Sequence, residues 1–171
     1  MGGTIVRTVC LVFLAVLLAA TTPARAGQNT FHKISIILDP HAGDTEQRVA
    51  EVLRARIAKR SPGAAIDISR AQPPVGALPI YLARTERGGI ADRLCAREKL
   101  VLPSDGWDTF PEGYAAKSID GGKAILAVGA DNRGVLYAAG EILRRLRCDA
   151  DAVSFNEFSI ATAPAYRYRG S

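Results

Sequence analysis

The sequence lacks the motifs by which common catalytic sites are identified. It has no G-x-S-x-G nucleophile elbow, no phosphate-binding loop, no H-E-x-x-H helix and no C-x-x-C pair. No two of its acidic residues are singled out by spacing as the paired carboxylates of a glycosidase. The residues alone therefore predict no catalytic residue, no metal ligand and no cofactor.

Histidine is scarce, since the 171 residues include only His32 and His41. Both flank the first predicted strand, and Asp39 lies nearby in the sequence. A catalytic zinc site normally needs three protein ligands and an open position. Ordinary loop hydrogen bonding is therefore the better interpretation of these side chains.

The first 26 residues have the pattern of a secretory signal peptide. Arg7 precedes an apolar run at 9–20, and the small-residue site Ala24-Arg25-Ala26 follows. The run is shorter than the roughly 20 residues that a membrane-spanning helix needs, so an uncleaved anchor is the less favoured alternative. We expect residues 1–26 to be removed and residues 27–171 to form one secreted or periplasmic domain, with no membrane contact after cleavage.

The charge of the chain gives no support for nucleic-acid binding. The formal net charge is +5 and falls to about +3 without Arg7 and Arg25, because the leader contains no acidic residue. The remaining basic residues fall on predicted helix faces, and no aromatic residues are interleaved with them for base stacking. We therefore expect solvated helix faces.

Hydrophobic periodicity and turn residues predict the element order β, α, β, β, α, β, β, α, β. This order favours an α+β fold in which helices cover a mixed β-sheet. The first helix is expected to begin with a capping box of Asp44 and Gln47, and to end at Ser61-Pro62-Gly63. The predicted strands are 31–38, around 66–68, 78–84, 112–119, 123–128 and 153–160, and the second helix spans 90–100.

The third predicted helix is the best defined, with Asp131 or Asn132 as its cap. The stretch 129–134 that leads into it could hold an anion at the helix N-terminus, although a tight turn with a cap explains the same residues. Basic residues at its end suit the helix dipole. Its apolar stripe consists of Val135, Leu136, Ala139, Ile142, Leu143 and Leu146; the first helix repeats Val49, Val52, Leu53 and Ile57 in the same way.

Four further residues are candidates for ligand contact or for a disulfide. Trp107 and Phe110 lie in a Pro-, Gly- and Asp-rich stretch at 102–112, where they either form a ligand-contact surface or, as we expect, fold back as a lid on the core. Cys95 and Cys148 would remain after export. They could form a disulfide in an oxidising compartment or stay as two separate buried thiols.

Two segments resemble a known module. One is Glu112-Gly113-Tyr114 followed by KAILAVGADNRGVLYAAGEIL at 123–143, and the other is PAYRYRG at 164–170. Together they are similar to the N-terminal accessory domain that precedes the (β/α)₈ barrel in β-N-acetylhexosaminidases and α-glucuronidases. The shared features are an E-G-Y strand, a hairpin, a G-A-x-x-x-G-x-x-Y turn into a helix, and a P-x-x-x-x-R-G ending that resembles the hexosaminidase side.

The resemblance implies a zincin-like shape without the zinc motif, and a domain that braces a glycoside hydrolase barrel. The catalytic carboxylates of that family lie in the barrel, which would begin near Ser171, so no catalytic residue is transferred to this chain. We expect a non-catalytic accessory domain whose barrel is in the same chain or encoded by an adjacent gene. The alternatives are a stand-alone exported module that binds carbohydrate or protein through Trp107 and Phe110, and a small hydrolase acting alone.

Overall fold

A six-stranded mixed sheet forms the centre of the computed structural model, which describes residues 29–85 and 89–164. The predicted signal peptide at 1–26 and most of the PAYRYRG ending lie outside the described residues. The described strands are β1 Thr30–Phe31, β2 Lys33–Leu38, β3 Ala65–Ser69, β4 Leu78–Arg84, β5 Tyr114–Ile119, β6 Ala124–Gly129, β7 Arg147–Cys148, β8 Val153–Ser154 and β9 Ser159–Thr162, and the helices are α1 Asp44–Arg60, α2 Ile90–Glu98 and α3 Asn132–Arg145.

The strand order of the large sheet is β3-β2-β4-β6-β5-β9. The pairs β3–β2, β2–β4 and β4–β6 are parallel, whereas β5 is antiparallel to both of its neighbours. The β5–β6 hairpin turns at Asp120-Gly121-Gly122, where all three residues have positive φ. The predicted α+β fold with a mixed sheet is therefore confirmed.

The two faces of the sheet are covered unequally. Helices α1 and α3 pack on one face through residues such as Leu53 and Ile142, both fully buried in the larger hydrophobic cluster. The shorter α2 packs on the other face, where Ala91 belongs to a smaller cluster. Because side chains alternate along a strand, Ala127 packs in the larger cluster and its neighbour Leu126 packs in the smaller cluster on the opposite face of the sheet.

The prediction of one continuous strand at 153–160 is wrong, because this segment contains β8 and the start of β9 as separate strands. β8 pairs with β1 and β7 in a separate three-stranded sheet, while β9 pairs with β5 at the edge of the large sheet. Between them Phe155 turns inward and stacks on Phe31 with ring centroids 6.2 Å apart. The Ser118 hydroxyl then accepts from the Phe158 N–H at 2.9 Å. Burial of these rings outweighs continuation of one straight strand.

The helix starts follow local hydrogen bonding. At α1 the N-cap is Gly43, whose N–H donates to the Glu46 carboxylate at 2.7 Å. The predicted box of Asp44 and Gln47 is wrong by one residue, because the Gln47 N–H already bonds to the Gly43 carbonyl inside the helix. At α3 the cap is Asp131, one of the two predicted residues; its carboxylate accepts from the Gly134 N–H at 2.8 Å.

Two residues predicted on buried stripes lie at the surface instead. Val52 on α1 is 49% exposed and Leu136 on α3 is 47% exposed. Each lies on the margin of its helix's apolar face, and the core is already filled by neighbours such as Val135 and Leu53. Among the described residues, no helix is both long enough and apolar enough to cross a bilayer.

Candidate functional site

The loop between α2 and β5 presents Trp107 to solvent. The loop folds back on itself, because Ser104 and Thr109 form an isolated antiparallel bridge and the Phe110 N–H donates to the Pro103 carbonyl at 2.9 Å. Trp107 lies at its tip and is 94% exposed, whereas Phe110 is half-buried at its base. The expected lid on the core is therefore wrong for Trp107.

The backbone that carries the indole is held by a short turn. The Asp105 carboxylate accepts from the N–H groups of Trp107, at 3.0 Å, and Asp108, at 2.9 Å. Gly106 between them has φ +96°, a conformation that favours glycine. This turn directs the indole away from the sheet, which is the physical reason that it cannot cover the core.

A cleft of about 360 Å³ opens beside the indole. Its apolar wall comes from the segment after α2, including Val101, which is 71% exposed. Its hydroxyl groups come from Thr85, Ser104 and Thr109, and none of the described residues that line it is charged. The lining residues are Thr85, Cys95, Leu100, Val101, Leu102, Ser104, Gly106, Trp107 and Thr109. Phe110 is not one of them, so the structure separates the two predicted contact residues.

The two cysteines considered for a disulfide are free thiols in the structure and lie in different parts of the core. Cys95 on α2 packs against the smaller cluster, and Cys148 on β7 packs against the larger one on the other face of the sheet. Burial raises the pKa of the Cys95 thiol to about 11. Burial also raises the pKa of Cys148 above its ordinary value of 9.0. Both are therefore protonated, weakly reactive groups at neutral pH.

A second concave surface lies between α3, the start of β5 and the segment that follows β9. We call it the α3 groove; it measures about 280 Å³ and has the exposed Leu136 and the half-buried Tyr137 on its helical side. Tyr137 packs against Tyr114 of β5 with ring centroids 6.4 Å apart. The lining residues are Tyr114, Leu136, Tyr137, Gly140, Arg144, Thr162, Ala163 and Pro164.

Acidic side chains of the protein itself lie at the N-terminus of α3. The Asp131 carboxylate accepts from Gly134 N–H and, at 2.9 Å, from Glu112 N–H. Glu112 in turn pairs with Arg133 at 2.6 Å and accepts from the Tyr137 hydroxyl at 3.3 Å. Because an acidic side chain already occupies the position that an anion would take, the stretch 129–134 acts as a turn and cap.

The glycines of this stretch allow α3 to approach the sheet closely. A Cβ atom at Gly129 would collide with the backbone of Val135, and one at Gly134 would collide with the carbonyl oxygen of Gly113. The G-A-x-x-x-G spacing therefore marks a packing contact between β6, the β5 entry and α3. It does not mark a ligand site.

The histidines and Asp39 do not converge on a metal site. Asp39 is buried and accepts from the backbone N–H groups of His41 and Ile90, both at 3.1 Å, so it joins the end of β2 to the start of α2. His32 lies at the surface, 3.5 Å from the Asp151 carboxylate. In the part of the chain that the structure describes, no three His, Cys, Asp or Glu side chains are grouped to hold a metal ion.

Comparison with known proteins identifies the fold but no family. No protein-family model matches the sequence, and no curated protein matches it. Solved structures do match. CpGH84D superposes with a TM-score of 0.62 at 12% identity, over 85% of this chain and 23% of its own.

Two further matches are enzymes. The GH20 exo-β-N-acetylglucosaminidase from Vibrio harveyi has a TM-score of 0.54 at 14% identity, over 84% of this chain and 18% of its own. BtGH115A is a family GH115 4-O-methyl-α-glucuronidase with specificity for decorated arabinogalactans. It has a TM-score of 0.56 at 13% identity, over 82% of this chain and 19% of its own. The chain thus has the fold of one domain of larger glycoside hydrolases, and spans about a fifth of their length.

Proposed function

We propose that residues 27–171 are a non-catalytic N-terminal accessory domain of an exported carbohydrate-active enzyme of the β-hexosaminidase or α-glucuronidase type. The observation that carries the proposal is how much of each chain the superpositions cover. They include 82–85% of this chain but only 18–23% of the three glycoside hydrolases. The domain has the zincin-like shape without its zinc helix, and it braces a (β/α)₈ barrel that supplies the catalytic carboxylates.

The α3 groove is the surface through which the barrel docks. Three observations support this. Pro164, two residues after β9, lines the groove, so the segment that leaves β9 runs along it. Leu136 exposes 47% of its surface there although it continues the apolar stripe of α3. Gly140, one turn later, leaves room for a close approach of another backbone.

Association with a barrel is the first test of the proposal. The coding sequence after codon 171 and the adjacent genes should encode a glycoside hydrolase barrel, and a tagged chain should copurify with that barrel. Where the barrel is a separate polypeptide, Leu136→Glu should weaken the association at least tenfold. Val75→Glu is the matched control, because Val75 is fully exposed in the connection between β3 and β4, at the opposite edge of the sheet.

Two outcomes would overturn the proposal. A stop codon after Ser171, with no barrel gene adjacent and no glycoside hydrolase in the copurified material, would remove its basis. Turnover of an aryl glycoside by the purified chain would contradict the non-catalytic role and favour a small hydrolase acting alone.

Export is tested separately. Fractionation of the native host should place the protein in the periplasm or the medium, and N-terminal sequencing should begin at Gly27. A product that begins at Met1 in the cytoplasmic fraction would refute the predicted leader.

A further inference from the structure

We propose that the cleft beside Trp107 is a binding site for a neutral saccharide. This goes beyond the bracing role, because the cleft is lined from α2, the loop after it and the end of β4, whereas the α3 groove is lined from α3, β5 and the end of β9. The saccharide binds with the C–H face of one sugar ring against the indole.

The first argument is the presentation of Trp107. Large aromatic side chains are usually buried, since they contribute strongly to the core. Here the indole is 94% exposed, and its backbone is fixed on both sides by the Asp105 carboxylate. The short turn already restricts the backbone that carries this flat aromatic group. Little backbone mobility is therefore left to lose on binding, which favours stacking of a ligand.

The second argument is the chemistry of the cleft. Its volume of about 360 Å³ falls in the lower part of the range for small-molecule sites, roughly 300–1,000 Å³. Apolar atoms from residues 100–102 form one wall, and hydroxyl groups of Thr85, Ser104 and Thr109 line the rest. A sugar ring matches this mixture, because its C–H groups face the negative π-surface of the indole while its hydroxyl groups exchange hydrogen bonds with side-chain hydroxyls.

The third argument concerns charge. None of the described lining residues is ionised, and the turn that carries Trp107 contains the carboxylates of Asp105 and Asp108. A cleft without a lining cation gives an anionic glycan such as a uronate no charged partner, so it suits a neutral saccharide better. It also disfavours a protein partner, because protein interfaces centre on a larger apolar core, whereas here the exposed apolar groups are Val101 and Trp107, with hydroxyl groups around them.

The single tryptophan of the sequence makes the test direct. Indole emission of the full chain reports on Trp107 alone and should begin at the wavelength of a solvated indole. Titration with N-acetylchitohexaose, cellohexaose and mannohexaose should shift that emission to shorter wavelength for at least one of them, with saturation. Polygalacturonate, the anionic control, should cause no saturable shift.

Variants then locate the site by calorimetry with the saccharide that binds. Trp107→Ala should weaken binding at least tenfold, Trp107→Tyr should retain part of it, and Thr109→Val should weaken it roughly threefold to tenfold through loss of one hydrogen bond. Val75→Ala, at an equally exposed site elsewhere, should bind as the wild type does. Far-UV circular dichroism, which reports secondary structure, should be unchanged throughout, because Trp107 is 94% exposed and contributes little to the core.

Several results would overturn the proposal. These are an emission spectrum unchanged by all three neutral glycans, binding by Trp107→Ala equal to that of the wild type, or a saturable shift with polygalacturonate alone. A shift caused only by a copurified polypeptide would likewise assign the surface to a protein partner instead.

Discussion

Arg60, the last residue of α1, donates a hydrogen bond to the carbonyl oxygen of Leu146 over 2.7 Å and so caps α3 from a neighbouring helix. Its second terminal nitrogen donates to the carbonyl of Leu143 at 2.5 Å. The last carbonyls of a helix have no partner within the helix. One guanidinium therefore satisfies two of them and joins the two helices that cover the same face of the sheet.

Replacing Arg60 should destabilise the domain through α3. Arg60→Ala should lower the free energy of unfolding by about 1.5–3 kcal/mol, the range for hydrogen bonds to a charged group. Arg60→Lys should recover part of the loss, because an ammonium can reach one carbonyl but lacks the fork geometry. Urea denaturation measures both. Arg56→Ala, an exposed arginine one turn earlier, should change stability by less than about 0.5 kcal/mol; equal losses at 56 and 60 would contradict the cap.

Glu141 should give the fold an acid-sensitive step. It is buried on α3 and accepts hydrogen bonds from Arg145 at 2.7 Å and from Arg144 at 2.6 Å. Burial alone would raise the pKa of this carboxyl, but the hydrogen bonds from Arg145 and Arg144 outweigh it and hold the pKa below the ordinary 4.5. Since the pKa is lower in the folded chain, the ionised group stabilises the fold above pH 4.5, and this stabilisation is lost as the pH falls through the folded-state value.

The corresponding variant is Glu141→Gln. At pH 7 its free energy of unfolding should be about 1–3 kcal/mol lower than that of the wild type. Below pH 4.5 the difference should shrink, because the wild type loses its charge there and the glutamine has none to lose. Urea denaturation at several pH values checks this. Glu51→Gln, on the exposed face of α1, is the control and should show no such convergence; a difference independent of pH would refute the assignment.

Two glycines of α3 should respond to alanine with opposite signs. A Cβ at Gly134 would collide with the Gly113 carbonyl oxygen, whereas a Cβ at Gly140 would have Arg144 Nη1 as its nearest neighbour, at 3.9 Å. Gly134→Ala should therefore destabilise the fold by about 1–3 kcal/mol through overpacking. Gly140→Ala should stabilise it by about 0.5–1 kcal/mol, because alanine favours the helix. Thermal denaturation distinguishes them, and a shift of the same sign would contradict the packing described.

Thiol chemistry should confirm that the cysteines are separate. With its pKa near 11 instead of 9.0, the Cys95 thiolate at pH 8 is roughly a hundredfold scarcer than in an unfolded chain. Native protein should therefore react slowly with iodoacetamide, and denatured but unreduced protein should take up two labels in the segment 27–171. Mass spectrometry counts the labels. Labelling of this segment only after reduction would instead establish the Cys95–Cys148 disulfide.

Local signals explain why most of the fold could be predicted. Strands β2, β3, β4 and β6 alternate or run apolar over four or more residues, and α3 has both a cap at Asp131 and an apolar stripe. The short strands β1, β7 and β8 have two residues each and gave no periodic signal. They exist because of long-range pairing, such as that of Phe31 with Val153. The break in the last strand depends likewise on Phe155 finding Phe31 across the chain.

The candidate site was predicted only in part. The composition of 102–112 indicated a loop with Trp107 and Phe110, but whether an aromatic side chain turns inward depends on the turn that carries it. That turn is set by the Asp105 carboxylate and by the bridge between Ser104 and Thr109. The exposure of Leu136 was missed because helical periodicity places it beside the buried Val135.

The pairing of β1 with β8 joins the two ends of the domain and has a consequence for how it folds. Thr30 and Phe31 hydrogen-bond with residues made more than a hundred positions later, Ser154 and Val153. Contacts this distant along the chain are slow to close. The first residues of the domain therefore pair only when residues near its end are in place, so the small sheet closes late in folding.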